Sequence, residues 1–193
     1  ILVCLVGSEM CIRDSAGTTD IDATDLSAIG GKTGGTVTVS NAVNIQGNTA
    51  QVTAALVTDE TKVLAANATV EISNDSTVAE LNALAPKAGV ITGSIAATSL
   101  ASLSGLATAS NDVITITVND GDGDAVTAAD LSALGGKTAG TVTVTNAIEI
   151  TGDHDQLTAA LVTAGTKVEV SDASVTVNDC LLYTSPSPRD TRE

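Results

Sequence analysis

The sequence predicts an α/β fold, a repeat solenoid of short helix–strand coils joined by a parallel β-sheet. Three observations lead to this prediction. A segment of 39 residues, 25–63, recurs at 130–168 with 27 identical residues and no gap. Short amphipathic helices are predicted at steps of about 26 residues, and a run of alternating β-branched residues follows each one. No such coil buries its apolar stripe alone, so each must pack against its neighbours.

Six helices are predicted, each close to one apolar anchor: Leu26, Val52, Leu81, Leu100, Leu131 and Leu157. Five of them are preceded by a helix-start signature of two residues that are three positions apart. The first residue can accept from a backbone N–H of the helix, and the side chain of the second can reach back to the first residue and also favours the helix dipole. The five pairs are Asp22/Asp25, Asn48/Gln51, Thr77/Glu80, Thr127/Asp130 and Asp153/Gln156. The helix at Leu100 lacks this signature. Pairs of glycines at 30–31 and 135–136 are predicted to end two helices. A lysine follows three helices, where a cation is favourable: Lys32, Lys87 and Lys137.

Strands are predicted where Val or Ile alternates with Thr or another polar residue, namely at 36–39, 69–72, 113–118, 141–144 and 175–177. Strands separated by a helix can pair in parallel through a crossover. The predicted coil is therefore helix, turn, strand, turn, with about six coils over residues 16–179. A second architecture stays open, because 167–179 holds two strand-like runs. That pattern suits a parallel β-helix with short helical inserts.

The two ends differ in character from the rest of the chain. Residues 5–15 (LVGSEMCIRDS) resemble a read-through translation of an adapter used in transposon-based sequencing libraries, and 180–190 (CLLYTSPSPRD) resemble the same adapter read from its other side. We therefore expect 1–15 and 180–193 to be adapter-derived and 16–179 to be a metagenomic fragment of a longer bacterial gene. Such segments are set aside before the fold is considered.

The composition of residues 16–179 restricts the possible functions. This part contains no Cys, Met, Arg or aromatic residue, and it has five lysines against 19 acidic residues. Disulfide and thiol chemistry are therefore excluded there. The negative charge disfavours nucleic acid, whose phosphates attract Lys and Arg. No apolar stretch is long enough to predict a membrane span.

One pattern resembles a known class of proteins. It is carried by 129–144 (ADLSALGGKTAGTVTV), by 24–39 with Thr at the first place, and by 157–161 (LTAAL). These segments resemble tandem repeats of giant secreted or cell-surface, adhesin-like proteins of marine bacteria. The resemblance implies a non-catalytic structural or adhesive role outside the cell, with no cofactor. The implied partners are neighbouring repeats of the parent protein and cell-surface or carbohydrate ligands. A β-helix enzyme acting on polysaccharides is a remote alternative, because it would need basic residues beside clustered carboxylates.

The loop 119–124 (NDGDGD) is the candidate metal site. Asp120, Asp122 and Asp124 are predicted as calcium ligands, since hard cations favour clustered oxygen atoms. This would make the chain a calcium-stabilised secreted repeat protein. The alternative is a solvated Asp-Gly turn between coils.

Three other motifs have simpler interpretations. GGKT at 30–33 and 135–138 resembles a phosphate-binding loop, but leucine replaces its first glycine and the segment follows a helix, so we interpret it as a helix end. His154 replaces Thr49 of the earlier copy, which indicates sequence drift at an exposed helix start. Asn or Ser followed by Asp ends several strands, at 74–75, 119–120, 171–172 and 178–179. These pairs are interpreted as turn formers, with an acidic ladder along one edge as the alternative.

Overall fold

The computed structural model describes residues 2–6, 9–13, 20–58 and 61–179, with the backbone alone for the first two ranges. These residues form an α/β structure in which short helices alternate with strands of mostly parallel sheets. The predicted α/β class is therefore confirmed. All of 180–193, and part of 1–15, lies outside the described residues.

The helices are short, and most have two turns. They are α1 Ala23–Gly30, α2 Thr49–Leu56, α3 Val78–Leu84, α4 Leu100–Leu103, α5 Ala128–Gly135 and α6 His154–Leu161. A 3₁₀ turn follows α3 at Ala85–Lys87, and another follows α6 at Ala164–Thr166. Helices this short are marginal in isolation and depend on the packing of their apolar faces.

The strands have between two and eight residues. They are β1 Leu2–Val6, β2 Glu9–Arg13, β3 Asp20–Asp22, β4 Val37–Val39, β5 Asn44–Gly47, β6 Val63–Leu64, β7 Thr69–Ser76, β8 Val90–Ile95, β9 Val113–Val118, β10 Ala125–Thr127, β11 Val142–Val144, β12 Glu149–Gly152, β13 Val168–Val170 and β14 Ser174–Val177.

The strands form three open sheets in the described part of the chain, with the orders β13-β11-β9-β8-β7-β5-β3, β1-β2-β4-β6 and β10-β12-β14. Every described pair is parallel except β1 with β2, so the predicted parallel pairing is confirmed. Paired residues of the parallel strands lie 19 to 27 positions apart, from Asp75 with Ser94 to Met10 with Val37. Each parallel partner is thus about one coil away in the sequence.

The prediction of one strand per coil is wrong. Two strands, β4 and β5, lie between α1 and α2, and β11 and β12 lie between α5 and α6. The missed strands β5 and β12 have four residues each, with one buried isoleucine, Ile45 or Ile150, in the middle. A single inward residue gives no alternation that a sequence pattern can detect. The elements of the two similar segments nevertheless have the same bounds, because α1, β4, β5 and α2 recur as α5, β11, β12 and α6 at an offset of 105.

The core is a continuous layer of aliphatic side chains between the helices and the strands. All six predicted helix anchors are buried, from Leu26 at 0% to Leu157 at 8% relative exposure. On the sheet side, Ile45 pairs with Val70 and Val70 pairs with Ile91, so buried β-branched residues stack along the strand order. Burial of each such side chain stabilises the fold by about 1.5–3 kcal/mol relative to exposure.

The predicted helix starts are confirmed, with one detail corrected. The side chains of Asn48, Thr77, Thr127 and Asp153 each accept from the backbone N–H three residues later. Asp22 is the N-cap residue of α1, but its side chain makes no capping hydrogen bond. The α4 helix, which lacked a recognised signature, starts at a serine pair instead. Ser99 Oγ accepts from the Ser102 amide at 3.3 Å.

Candidate functional site

The acidic loop between β9 and β10 holds the three predicted calcium ligands. Asp120 Oδ2 accepts from the Leu100 amide at 2.8 Å, and Asp122 Oδ1 accepts from the Ala147 amide at 3.1 Å. Asp124 Oδ2 accepts from an amide of its own loop, that of Gly121, at 2.8 Å. Each carboxylate is therefore directed at a different backbone donor.

The loop has the conformation of a tight Asp-Gly turn. Gly123 adopts a φ of 79°, which glycine tolerates at no steric cost. Its amide donates to the Ala147 carbonyl at 2.8 Å, and the Asp124 amide donates back to Gly121. Among the residues that the structure describes, no group of three or more His, Cys, Asp or Glu side chains is arranged to hold a metal ion. A calcium site at these aspartates stays a prediction.

Three Asn and Asp residues near strand ends have a role that the sequence did not reveal. Two of them follow a strand, whereas Asn74 lies inside β7, which continues beyond the predicted end at 74–75. Asn74 Oδ1 accepts from the amide of Thr49, the first residue of α2, at 2.7 Å. Asp120 does the same for α4, and Asp179 Oδ1 accepts from the first amide of α6, that of His154, at 2.9 Å. Each side chain thus caps a helix that begins 20 to 25 residues earlier. The sequence signal that could have revealed these caps is an Asn or Asp located 20 to 25 residues after the start of a helix.

His154 is positioned by that cap at the first residue of α6. Its Nδ1 lies 3.4 Å from Asp155 Oδ1, and 57% of its side chain is exposed. The position agrees with the interpretation of His154 as part of an exposed helix start.

The two GGKT segments follow α1 and α5 and precede strands, which is the reverse of the order in a phosphate-binding loop. Gly30 and Gly135 end these helices as predicted, but the reason differs from the one expected. The following glycines have φ near −70°, so no left-handed turn is formed. A Cβ on Gly135 would instead collide with the carbonyl oxygen of Thr166 in the next coil. Close approach of two backbones requires the glycine.

The last two residues of the second GGKT segment contact the preceding coil. The Lys137 ammonium donates to the carbonyl oxygen of Ser104, the C-cap residue of α4, at 3.0 Å. The buried hydroxyl of Thr138 accepts from the Ile114 amide at 2.9 Å and donates to the Ile114 carbonyl at 2.7 Å. Lys137 lies two residues after the end of α5, as predicted, but its ammonium group binds the C-terminus of α4 instead.

Asp112 is a buried carboxylate that sequence reasoning missed. It is 4% exposed, and its Oδ1 accepts from the Ile91 amide while its Oδ2 accepts from the Ala109 amide, both at 2.8 Å. Two backbone donors are satisfied by one side chain, which suits a buried polar group. Nothing in the local sequence distinguishes Asp112 from the exposed turn aspartates.

The fold lowers the pKa of the Glu80 carboxyl group. The amide of Thr77, and then its hydroxyl, donate to Glu80 Oε2 at 2.8 Å each. These hydrogen bonds favour the charged form and hold the pKa of Glu80 below its usual value. The contact belongs to the helix cap of α3, so the displaced pKa has a structural origin.

A groove of about 280 Å³ lies between α4 and α5, because α4 has one turn and α5 has two. Its apolar lining includes Leu103 and Leu134, and its rim carries Asp120 and Lys137. Both of these charged groups already bind backbone atoms. Asp120 and Lys137 therefore connect their own segments to α4.

Seven carboxylates of the described residues accept hydrogen bonds from backbone amides, which stabilises turns and helix ends. None of the described helices is both long and apolar enough to cross a membrane. Comparison of the chain with models of protein families, with curated proteins and with solved structures finds no match.

Proposed function

We propose that residues 16–179 are a non-catalytic structural or adhesive segment of a large extracellular bacterial surface protein. In this proposal the chain is a solenoid, and each regular coil consists of one helix and two strands. The observation that carries the proposal is the narrow range of sequence separations between paired parallel strands, 19 to 27 residues. A chain that advances by one strand spacing per coil gives that separation.

Contacts between coils support the same proposal. Backbone amides at the strand starts donate to carbonyls one coil away, for example Val37 to Lys62 and Val142 to Lys167, both at 3.0 Å. On the exposed face of β5 and β7, Asn44 Nδ2 donates to Glu71 Oε2 at 3.3 Å. Consecutive helices also contact each other in the pairs α1–α2, α2–α3, α4–α5 and α5–α6. Each coil therefore contacts mainly its neighbours, as in quasi-one-dimensional proteins.

Such an array is suited to extension and display. Parallel strands are spaced by about 4.8 Å, so every added coil lengthens the array by that amount without changing its cross-section. The lack of aromatic residues and the aliphatic core in thin layers suit a repetitive scaffold. The resemblance to adhesin-like repeats supports the proposed location at the cell surface.

The proposal can be tested by duplicating residues 25–129 in place. The seam then joins 129 to a second copy of 25, which corresponds to the natural step from 129 to 130. Small-angle X-ray scattering should show an increase in maximum dimension of about 19 Å, from four more coils at about 4.8 Å each, with an unchanged cross-sectional radius. The matched control duplicates 25–116, which breaks the register inside β9. Growth of the first variant in all dimensions would refute the solenoid.

A further inference from the structure

All five lysines of the chain lie at one edge of the molecule. Each is in the segment that leads from a helix to the next strand, and the segments that lead from a strand to a helix contain none. The five are Lys32, Lys62, Lys87, Lys137 and Lys167. Consecutive segments of this kind lie side by side, because Lys62 Nζ donates to the Gly34 carbonyl and Lys62 and Lys87 line one shallow groove. Lys137 Nζ donates to the Ser104 carbonyl, and Gly135 lies against the Thr166 backbone. We call this set of five residues the lysine edge.

The ammonium groups of the lysine edge are not neutralised by carboxylates. Within the described residues, the one ion pair joins His154 to Asp155. Lys62 Nζ donates to the Gly34 carbonyl at 2.8 Å, and Lys137 Nζ donates to the Ser104 carbonyl. An ammonium has three donors, so each retains hydrogen-bonding capacity for a ligand.

Backbone conformation gives a second, independent observation. In the described chain, the residues other than glycine with positive φ are Lys62, at 51°, and Lys167, at 50°. This left-handed conformation costs an L-residue about 1–2 kcal/mol, and glycine would adopt it freely. The carbonyls of both residues accept from the amides at strand starts, those of Val37 and Val142, so the conformation helps to join coils. A lysine is nevertheless found at both positions, where glycine would be unstrained. Both outliers belong to the lysine edge.

The acidic groups at the helix N-termini lie at the other ends of the helices. They include Asp22, Asp25, Glu80, Asp130, Asp153 and Asp155. A helix of eight residues is about 12 Å long, which exceeds the screening length of about 8 Å at physiological salt. The segments from helix to strand contain three acidic residues, Asp59, Glu60 and the buried Asp112, beside the five lysines, so their formal charge is +2, whereas the whole chain has a formal charge of −15. Asp59 and Glu60, which precede Lys62, lie outside the described residues.

We propose that the lysine edge binds a linear acidic polysaccharide through the carboxylates of successive sugars. A straight polyanion can follow a row that supplies about one cation for each strand spacing of about 4.8 Å. Nucleic acid fits less well, because 16–179 has no Arg to hold phosphate with a two-pronged contact and no aromatic side chain to stack on a base. This binding activity goes beyond the structural role proposed above.

The test is calorimetric titration of the full chain with a ten-residue oligogalacturonate in 0.15 M NaCl and a chelator, which removes calcium bridging. Substitution of Lys32, Lys87 and Lys167 by Gln should lower the affinity at least tenfold, and 0.5 M NaCl should abolish binding. These exposed lysines are chosen because Lys62 and Lys137 bond neighbouring coils. The matched control replaces the same three residues by Arg, which keeps the charge and should retain binding. Equal melting temperatures of the two variants show that both are folded.

Four results would overturn the inference: no binding by the wild type, equal binding by the Gln variant, equal binding of a neutral oligosaccharide of the same length, or equally tight binding of an oligothymidylate of the same charge. None of these results bears on the scattering test of the solenoid. The two proposals therefore fail separately.

Discussion

Replacement of Gly135 by Ala adds one carbon atom, Cβ, where the end of α5 lies against the Thr166 backbone, and so tests how closely these two segments pack. Gly135 is the last residue of α5, and Thr166 lies 31 residues later in the chain. An added Cβ would meet the carbonyl oxygen and carbonyl carbon of Thr166 at distances that real Cβ atoms do not show, and would also lie close to its Cα. These are backbone atoms, so no rotation of a side chain relieves the collision. One of the two coils must shift.

The expected cost follows from two opposing terms. Overpacking of a close contact costs about 1–3 kcal/mol, and the upper end applies here because backbone must move. Alanine recovers up to about 1 kcal/mol through its better helix propensity. The net loss is therefore about 2 kcal/mol of unfolding free energy. For a protein of this size, such a loss lowers the melting temperature by about 4–8 °C.

Gly136 provides a matched control in the neighbouring position. A Cβ there would lie 3.5 Å from the Ala133 carbonyl oxygen, which is an ordinary contact, and the φ of −70° suits any residue. We expect Gly136→Ala to stabilise the protein by about 0.4–1 kcal/mol, because the unfolded chain loses freedom. Urea unfolding followed by circular dichroism measures both variants. If Gly135→Ala is as stable as Gly136→Ala, the contact with Thr166 and the stacking argument built on it are wrong.

Four further substitutions test the polar contacts. Asp112→Ala should cost about 1–3 kcal/mol in urea unfolding, because the buried Ile91 amide loses its acceptor, whereas the amide of the exposed Ala109 can bond water instead; a loss below about 0.5 kcal/mol would contradict this role. Thr77→Ala should raise the pKa of Glu80 in an NMR titration without restoring its usual value, because the amide bond remains. The stabilisation by ionised Glu80 is present above its unfolded pKa and is lost as pH falls through the lower folded value, so wild type and Glu80→Gln should converge in acid. Asp120→Asn keeps an acceptor for its amide partner and should melt within about 2 °C of wild type with or without calcium; a calcium-dependent rise in the wild type alone would support the calcium site instead.

Local chemistry explains which elements the sequence could predict. A cap residue and its partner three positions later lie in one helical turn, so Asn48, Thr77 and Asp153 identify their helices without reference to the rest of the fold. The alternating run of β9 likewise has the same bounds in the sequence and in the structure. Parallel pairing followed from the helix between successive strands. These features depend on neighbours within about ten residues.

The features that sequence reasoning missed depend on contacts 20 or more residues away. The short β5 strand is fixed by pairing with β3 and β7 on its two sides. Asp112 differs from an ordinary turn aspartate only because Ile91, 21 residues earlier, directs an amide at it. The three candidate calcium ligands show the same limit. Their composition suggested a shared ion, whereas Asp120 and Asp122 are directed by amides that other segments present, and Asp124 by an amide of its own loop.

The segment between α4 and β9 shows how parallel strands stay joined where their ladders stop short. The ladder between β8 and β9 begins at Thr92 with Val113, and the ladder between β9 and β11 begins at Ile116 with Val142. Just before each ladder, a side chain takes the place of a strand carbonyl as the acceptor. Asp112 accepts from Ile91 in the first case.

Thr138 accepts from the Ile114 amide in the second case, and its one hydroxyl proton is within reach of two carbonyls, that of Ile114 at 2.7 Å and that of Asp112 at 3.1 Å. The two acceptors, Asp112 and Thr138, therefore connect the strands β8, β9 and β11. They lie next to α4, the shortest of the described α-helices, and the turn that leads from α4 to β9 contains no lysine. Burial makes an unpaired amide costly, so acceptors are required wherever strand pairing stops short. The segment around Asp112 and Ile114 is thus held by buried side-chain acceptors in addition to the close approach of Gly140 to the Ile114 backbone.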